Sequence, residues 1–386
     1  MAKWQSPLEG LEVRDMDIVS DAFEGKTVLV TGHTGFKGGW LAVWLNYLGA
    51  KVIGYSLDPP TDPSFFRAVD LKKRIINIKG DILDQEHLVS TMAQHKPEYV
   101  FHLAAQPLVR RSYLNPLETF ETNIMGTLKV LEAVRCTPSV NVCVCITSDK
   151  CYENREWVYA YRENDPMGGH DPYSASKGAA ELAISSYRRS FLNSKCGRSV
   201  SISSARAGNV IGGGDWAMNR IIPDCVRALI LDKPLSVRNP RAIRPWQHVL
   251  DPLFGYLLLA ARMKQESDRF AGAWNFGPLS SNSVTVRSLV ERFIAEWGCG
   301  SWQDLSSRDS SGPHEADTLR LDCTKANSLL GWMPEYAISK SITETVAWYR
   351  AYYNKQSDMH DLTISQIKSY TERKKAVDSI CQMICE

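Results

Sequence analysis

The chain has 386 residues, 44% of them apolar, which is enough to bury a large core and excludes wholesale disorder. Lys plus Arg number 45 and Asp plus Glu 43, a net charge of +2, so neither nucleic acid nor a membrane surface is the default partner of the whole chain. The longest apolar run, around Leu253–Ala261, is half the roughly 18 residues a membrane span needs. Residues 1–23 lack the basic-then-apolar order of a signal peptide, and the chain reads as a cytoplasmic protein. The ten cysteines form no CxxC pair and show no zinc spacing, so they read as reduced thiols with no metal site. Cys143 and Cys145 alternate along a strand signal and are expected on one face.

Strand and helix signals alternate through the first half. Lys26–Thr31 is a β-branched run, followed by glycine punctuation and an apolar helix from Trp40 to Leu48. Lys51–Leu57, Tyr99–Ala104, Val140–Thr147 and Ser199–Ser204 read as further strands. Asp84–Gln94, Leu117–Arg135 and Tyr173–Phe191 read as the helices between them. Alternation of this kind predicts an α/β fold with a doubly wound parallel sheet. After Ala205 the pattern loosens, and Gly212-Gly213-Gly214 with the prolines at 223, 234, 240 and 245 cut the chain into short pieces. The expected division is an N-terminal extension (1–23), a nucleotide-binding domain (24–205), a smaller mixed α/β substrate lobe (206–353) with chain crossing between lobes, and a polar tail (354–386) that is either an appended helix or disordered.

Thr31-Gly32-His33-Thr34-Gly35-Phe36-Lys37-Gly38 follows the first strand and opens a helix. Glycines there let the backbone turn sharply and approach a pyrophosphate, and the helix N-terminus offers amide donors and partial positive charge. The strand–turn–helix context is what a Rossmann dinucleotide fingerprint requires. Asp58 stands 20 residues after Gly38 at the end of the second strand, where an acid accepts both ribose hydroxyls of NAD and repels the extra phosphate of NADP. Lys37 leaves an alternative open, since a cation in the loop also suits a 2′-phosphate.

Tyr173 and Lys177 stand at i and i+4 at the start of a helix, on one face. An ammonium beside a phenol favours the phenolate and is expected to lower its pKa from about 10. Such a pair suits proton removal from an alcohol as hydride leaves carbon. Thr147-Ser148-Asp149-Lys150 ends a predicted parallel strand, at the edge where such sheets bind ligands.

TGHTGFKGGWL, HLAAQP, TSDKCYEN and YSASK resemble the extended short-chain dehydrogenase/reductase family of nucleotide-sugar enzymes, and the 4,6-dehydratases within it. The resemblance covers roughly Glu24 to Tyr353 and is closest to the branch acting on CDP-glucose, with the SDK element and the ENREWVYAYRENDPMGG segment as its most specific part. It implies a Rossmann-type domain, tightly bound NAD, oxidation of the sugar at C4, loss of water across C5–C6 and return of hydride to C6. It further implies that Ser148 bonds the C4 oxygen, Tyr173 deprotonates it, Lys177 tunes Tyr173 and holds the nicotinamide ribose, and Asp149 protonates the departing C6 hydroxyl. The dTDP-glucose enzymes carry a Glu base at the next position, where this chain has Lys150. A lysine at its ordinary pKa of about 10.4 is a base only if burial or a like charge such as Lys177 depresses it. Lys150 is therefore either the C5 base or a charge that stabilises the enolate. The resemblance also places Gly32, Thr34, Gly35, Phe36, Lys37, Gly38, Asp58, Asp81, Ile82, Ala104, Ala105, Gln106, Asn123 and Thr147 around the cofactor. It puts Asn209, Trp216, Arg220, Arg244 and His314 around the nucleotide sugar, the arginines suiting a diphosphate. A homodimer or homotetramer is implied, with the Tyr173 helix in the dimer contact. The rival readings are a C4 epimerase, which needs no acid and base after Ser148, and a non-catalytic NAD-binding protein, which needs no Ser148/Tyr173/Lys177 set.

Overall fold

The structure is a computed structural model that describes residues 15–193, 200–278, 283–306 and 318–385. Among these, seven strands form one sheet: β1 (Thr27–Thr31), β2 (Lys51–Ser56), β3 (Ile76–Lys79), β4 (Tyr99–His102), β5 (Val142–Ile146), β6 (Ser201–Ala207) and β7 (Gly272–Phe276). Their spatial order is β7-β6-β5-β4-β1-β2-β3, and every neighbouring pair is parallel. In β1, Val28 and Val30 point to one core and Leu29 to the other, so successive residues feed opposite faces. All-parallel strands buried on both sides demand such continuous apolar runs.

Helices α1 (Asp15–Phe23) and α2 (Phe36–Tyr47) pack in one core, and α3 (Gln85–His95), α4 (Gly126–Cys136) and α5 (Pro172–Ser190) in the other. Beyond β6 come α6 (Ile221–Ile230), α7 (Leu250–Gln265), α8 (Val286–Trp297), α9 (Ile338–Asn354) and α10 (Met359–Cys385). The apolar run at 253–261 lies in α7, which is buried nearly all round between the sheet and outer helices. Three two-stranded pieces build the smaller lobe: 210–211 with 247–248, 243–245 with 283–285, and 235–237 with 302–304.

Four local features refine the sequence reading. β3 carries no strong apolar alternation, and its residues are half-buried at the sheet edge. The helix expected over 117–135 runs unbroken from Pro116 to Cys136, with a π-helical turn at Glu121–Met125 between Pro116–Phe120 and α4. Of the N-terminal extension, the described residues 15–23 are part of the core, since Phe23 is buried with its ring 5.0 Å from that of Tyr99. The tail forms α10, which packs on α2 through Tyr370, edge-on to Trp44 at 5.6 Å. Cys143 and Cys145 do share one face, with Sγ atoms 3.8 Å apart.

Asp251, in the first turn of α7, ties this last helix down. Its Oδ1 accepts from the Tyr370 hydroxyl (3.0 Å) and the Glu335 amide (2.6 Å), while Oδ2 is buried without a partner. Burial pushes the carboxyl up to about 7 against those hydrogen bonds. The folded value exceeds the unfolded one of about 3.9, so this group's stabilising contribution is full below pH 4 and is lost as pH rises through 7. Asp251→Asn keeps a carbonyl acceptor without the ionisation. Thermal melts should show a Tm gain of a few degrees at pH 8 and a smaller one at pH 5; a gain that does not vary with pH would refute the assignment.

Candidate active site

The carboxyl ends of six of the seven strands, β1 to β6, open into a cleft of about 1570 Å³. At its floor, β1 turns into α2. Gly32 has φ +76°, and a Cβ there would stand 2.7 Å from the Ala104 amide nitrogen. A Cβ on Gly38 would stand 2.2 Å from the Gly32 carbonyl oxygen. Both positions therefore require glycine for backbone-to-backbone packing. Gly35 differs, because the nearest atom to a Cβ there is the Gly32 oxygen at 3.4 Å and the residue lines the cleft. It is also the N-cap of α2, and no side chain caps that helix. The first-turn amides thus face the cleft as a ready anion site.

Thr34 fastens this loop to the end of β2 through Ser56 Oγ (2.8 Å) and the Leu57 carbonyl (3.0 Å). Asp58 follows, largely exposed, and Lys79 Nζ donates to it at 2.5 Å. Asp81 accepts from the Leu83 amide at 2.9 Å, and Ile82 beside it is buried on the cleft wall. Lys37 points away from Asp58. Its Nζ donates to Tyr256 Oη at 3.2 Å, and burial followed by Lys177 and Arg220 lowers its ammonium to about 7. The alternative in which Lys37 meets a ribose 2′-phosphate therefore has no support from its placement.

The catalytic candidates meet at the ends of β5 and α5. Asp171 caps α5 by accepting from the Ser174 amide (3.0 Å), and Pro172 occupies the first turn, so the helix starts where Tyr173 reaches the cleft. Ser148 Oγ donates to Asp149 Oδ1 at 2.9 Å, and its hydroxyl favours ionisation of the nearby Tyr173 phenol. Burial raises the Asp149 carboxyl, opposed by Lys150, the Ser148 hydroxyl and Arg244. Lys177 Nζ lies 6.0 Å from the Tyr173 ring centroid, and burial lowers its ammonium to about 8. The sequence reading expected a depressed phenol. In the structure burial pushes Tyr173 up to about 12, because removal from water outweighs the Ser148 hydrogen bond and the Arg220 charge.

Most of the residues singled out from sequence line this one cleft, including Phe36, Ala104, Ala105, Gln106, Thr147, Lys150, Asn209, Trp216, Arg220 and Arg244. Arg220 is paired with Asp215 at 2.9 Å, and Trp216 Nε1 donates to Tyr353 Oη at 3.1 Å. Asn123 does not reach the wall. It sits behind it, accepting from the Gln106 amide (2.9 Å) and donating to Ser176 Oγ (2.8 Å), so it braces the Gln106 turn against α5. His314 lies outside the described residues. Sequence reasoning missed Glu181 and Arg206, a fully buried ion pair at 2.7 Å directly behind Ser148. The available signal was a carboxylate two helical turns after Tyr173, on the same face.

Comparison with known proteins extends this picture. The family model described as GDP-mannose 4,6 dehydratase matches residues 29–345. A CDP-glucose 4,6-dehydratase of Salmonella typhimurium is 50% identical over 332 residues, covering 86% of this chain and 92% of that one. Among solved structures, an epimerase of Methanothermobacter thermautotrophicus superposes with a TM-score of 0.72 at 25% identity, covering 88% of this chain and 96% of its own. A double mutant of the dTDP-glucose 4,6-dehydratase of Streptomyces venezuelae, with NAD and DAU bound, gives 0.69 at 25%, covering 84% and 96%. These likenesses span the Rossmann-type sheet and the smaller lobe alike, and the chain belongs to the GDP-mannose 4,6 dehydratase family.

Proposed function

We propose that the chain is a CDP-glucose 4,6-dehydratase, a lyase that converts CDP-glucose to CDP-4-keto-6-deoxyglucose and water with NAD. The observation that carries this reading is a buried acid, Asp149, hydrogen-bonded to Ser148 in the cleft that Tyr173 also lines. A 4-epimerase has no use for that acid. Half identity to the Salmonella enzyme supports CDP-glucose as the substrate.

The uncapped amides of α2 and the open side of Gly35 fit a dinucleotide diphosphate, with Asp58, Asp81 and Ile82 at the adenosine end and Ala104, Ala105, Gln106 and Thr147 toward the nicotinamide. NAD, when bound, supplies the hydride acceptor for C4 and the donor for C6. The chain's own groups handle the protons. Ser148 holds the C4 oxygen and Tyr173 takes its proton. A phenol pushed up to about 12 serves as a base only while the Lys177 charge faces it. Asp149, its carboxyl raised by burial, is the acid for the departing C6 hydroxyl. Lys150, beside it in the cleft, removes the C5 proton. Arg220 and Arg244 hold the sugar diphosphate, with Asn209 and Trp216 in the same lobe. Exposed Leu114, Leu117 and Leu182 support a homodimer through α5. No helix among the described residues is long and apolar enough to cross a membrane, in keeping with a cytoplasmic enzyme.

Incubation with CDP-glucose followed by alkali should give the near-UV absorbance of a 4-keto sugar, and no absorbance would overturn the assignment. Three variants or measurements check its parts. Mass analysis of the dinucleotide released on denaturation should find NAD, because Asp58 would meet a 2′-phosphate at close range. Mostly NADP would transfer the role to Lys79, the cation already paired with Asp58. Asp149→Asn keeps the shape but cannot donate the proton, so turnover should drop about 10²–10⁴-fold; turnover within twofold of the parent removes Asp149 from the mechanism. Lys150→Arg retains charge, but arginine cannot act as a base in proteins. It should lose solvent-deuterium exchange at C5, with partial recovery in Lys150→Glu. Substantial exchange in Lys150→Arg would leave Lys150 as an electrostatic stabiliser only.

A further inference from the structure

Behind the catalytic wall lies a charged group that the mechanism above does not use. Glu181 stands one helical turn beyond Lys177 on α5 and is 4% exposed. Its Oε1 accepts from Thr147 Oγ1 at 2.5 Å, and its Oε2 from Ser204 Oγ and Arg206 Nη2, both at 2.7 Å. Arg206 also donates to Tyr152 Oη at 2.6 Å, and that hydroxyl donates to Asn275 Oδ1 at 2.7 Å. One carboxylate therefore joins α5 to the end of β5 and to β6, and through Arg206 to β7. Thr147 directly precedes Ser148, so the bond to Glu181 fixes the strand end that carries Ser148 and Asp149.

The surroundings of Lys177 make Glu181 matter for charge as well as position. Lys177 faces Tyr173 and Glu181 on its own helix, His102 from β4, Cys145 from β5, Cys151 from the turn after β5, and Lys37 from α2. Burial keeps His102 neutral and raises the Cys151 thiol well above its usual value, while the Cys143 hydrogen bond and burial do the same for Cys145, so none of these is anionic near neutrality. Lys37 is cationic or neutral, and the Tyr173 phenol is protonated. Burial opposes the Glu181 charge, but Arg206 and the two hydroxyl donors outweigh it and hold the carboxyl below its usual range. Glu181 is thus the one anion among the groups that face Lys177.

We propose that the Glu181–Arg206 pair is a positioning element of the reaction: Glu181 supplies the negative charge that keeps Lys177 an ammonium and, through Thr147, holds Ser148 and Asp149 at the cleft. This rests on the dehydratase reading only for its kinetic arm. Buried pairs are weak stabilisers that well-packed neutral groups often replace without loss, so a purely structural pair would be replaceable with no effect on Lys177.

The test reads Lys177 directly. Competitive labelling with acetic anhydride across pH, followed by peptide mass analysis, reports the fraction of neutral Lys177 whether or not the enzyme turns over. The parent should titrate near 8. Removing a carboxylate removes a raising influence, so Glu181→Gln should titrate at least one pH unit lower. The same shift is expected in Glu181→Gln with Arg206→Met, which leaves no buried charge unpaired. With CDP-glucose, the alkaline limb of kcat should move down by the same amount while KM changes little. A folded double variant in which Lys177 titrates as in the parent overturns the proposal, as does loss of the near-UV circular dichroism of both variants, which would make the pair a folding element only. A shifted Lys177 titration in a chain that makes no 4-keto sugar would support the pair and sink the dehydratase reading instead.

Discussion

Backbone packed on backbone at the turn after β1 is the constraint on which the site depends. Gly32 lies against the chain leaving β4, and Gly38 lies against the carbonyl of Gly32. Because neither carries a Cβ, β1, β4 and α2 meet at van der Waals distance where the strand order reverses. At such a switch point the chains leaving adjacent strands diverge to opposite faces and leave a crevice. Asp58, Asp81 and Ile82 follow β2 and β3 on one side of it, and Ala104, Gln106, Ser148, Asp149 and Lys150 follow β4 and β5 on the other.

Burial then sets the electrostatics. The same low-dielectric wall that raises Asp149 and Tyr173 depresses Lys37 and Lys177. Burial thereby shifts the acid toward keeping its proton and the lysines toward losing theirs, the opposite of the bias of exposed groups. Such a wall holds its shape because its own polar groups are tied: Asn123 to Gln106 and Ser176, Asp171 to Ser174, Glu181 to Arg206. The π-helical turn at Glu121–Met125 is part of this, since it contains Asn123.

The chain termini serve the same core from outside. α1 packs against α7, and Asp15 meets Arg262 at 3.2 Å. α10 lies on α2, the helix whose N-terminus faces the diphosphate site, and is pinned through Tyr370 to Asp251 of α7. Described segments outside the family match at 29–345 thus buttress α7 and α2, the latter opening at the glycine-rich turn.

Local chemistry made much of this legible in the amino-acid order alone. Apolar runs separated by glycine and proline determined the parallel sheet, and the spacing of Gly32, Gly35 and Gly38 the tight turn into α2, because both follow from backbone geometry within a few residues. The i, i+4 spacing of Tyr173 and Lys177 likewise determined that they share a face. Tertiary structure decided the rest. β3 became a strand by pairing with β2 rather than by its own pattern. Lys37 turned toward Tyr256, a residue 219 positions away, instead of toward Asp58. Asn123 went behind the wall, and Tyr173 rose where its neighbour suggested a fall. Spacing along a helix says which groups are close, but the sign of a pKa shift depends on how much water the whole fold removes, and that is settled only when distant segments close over the site.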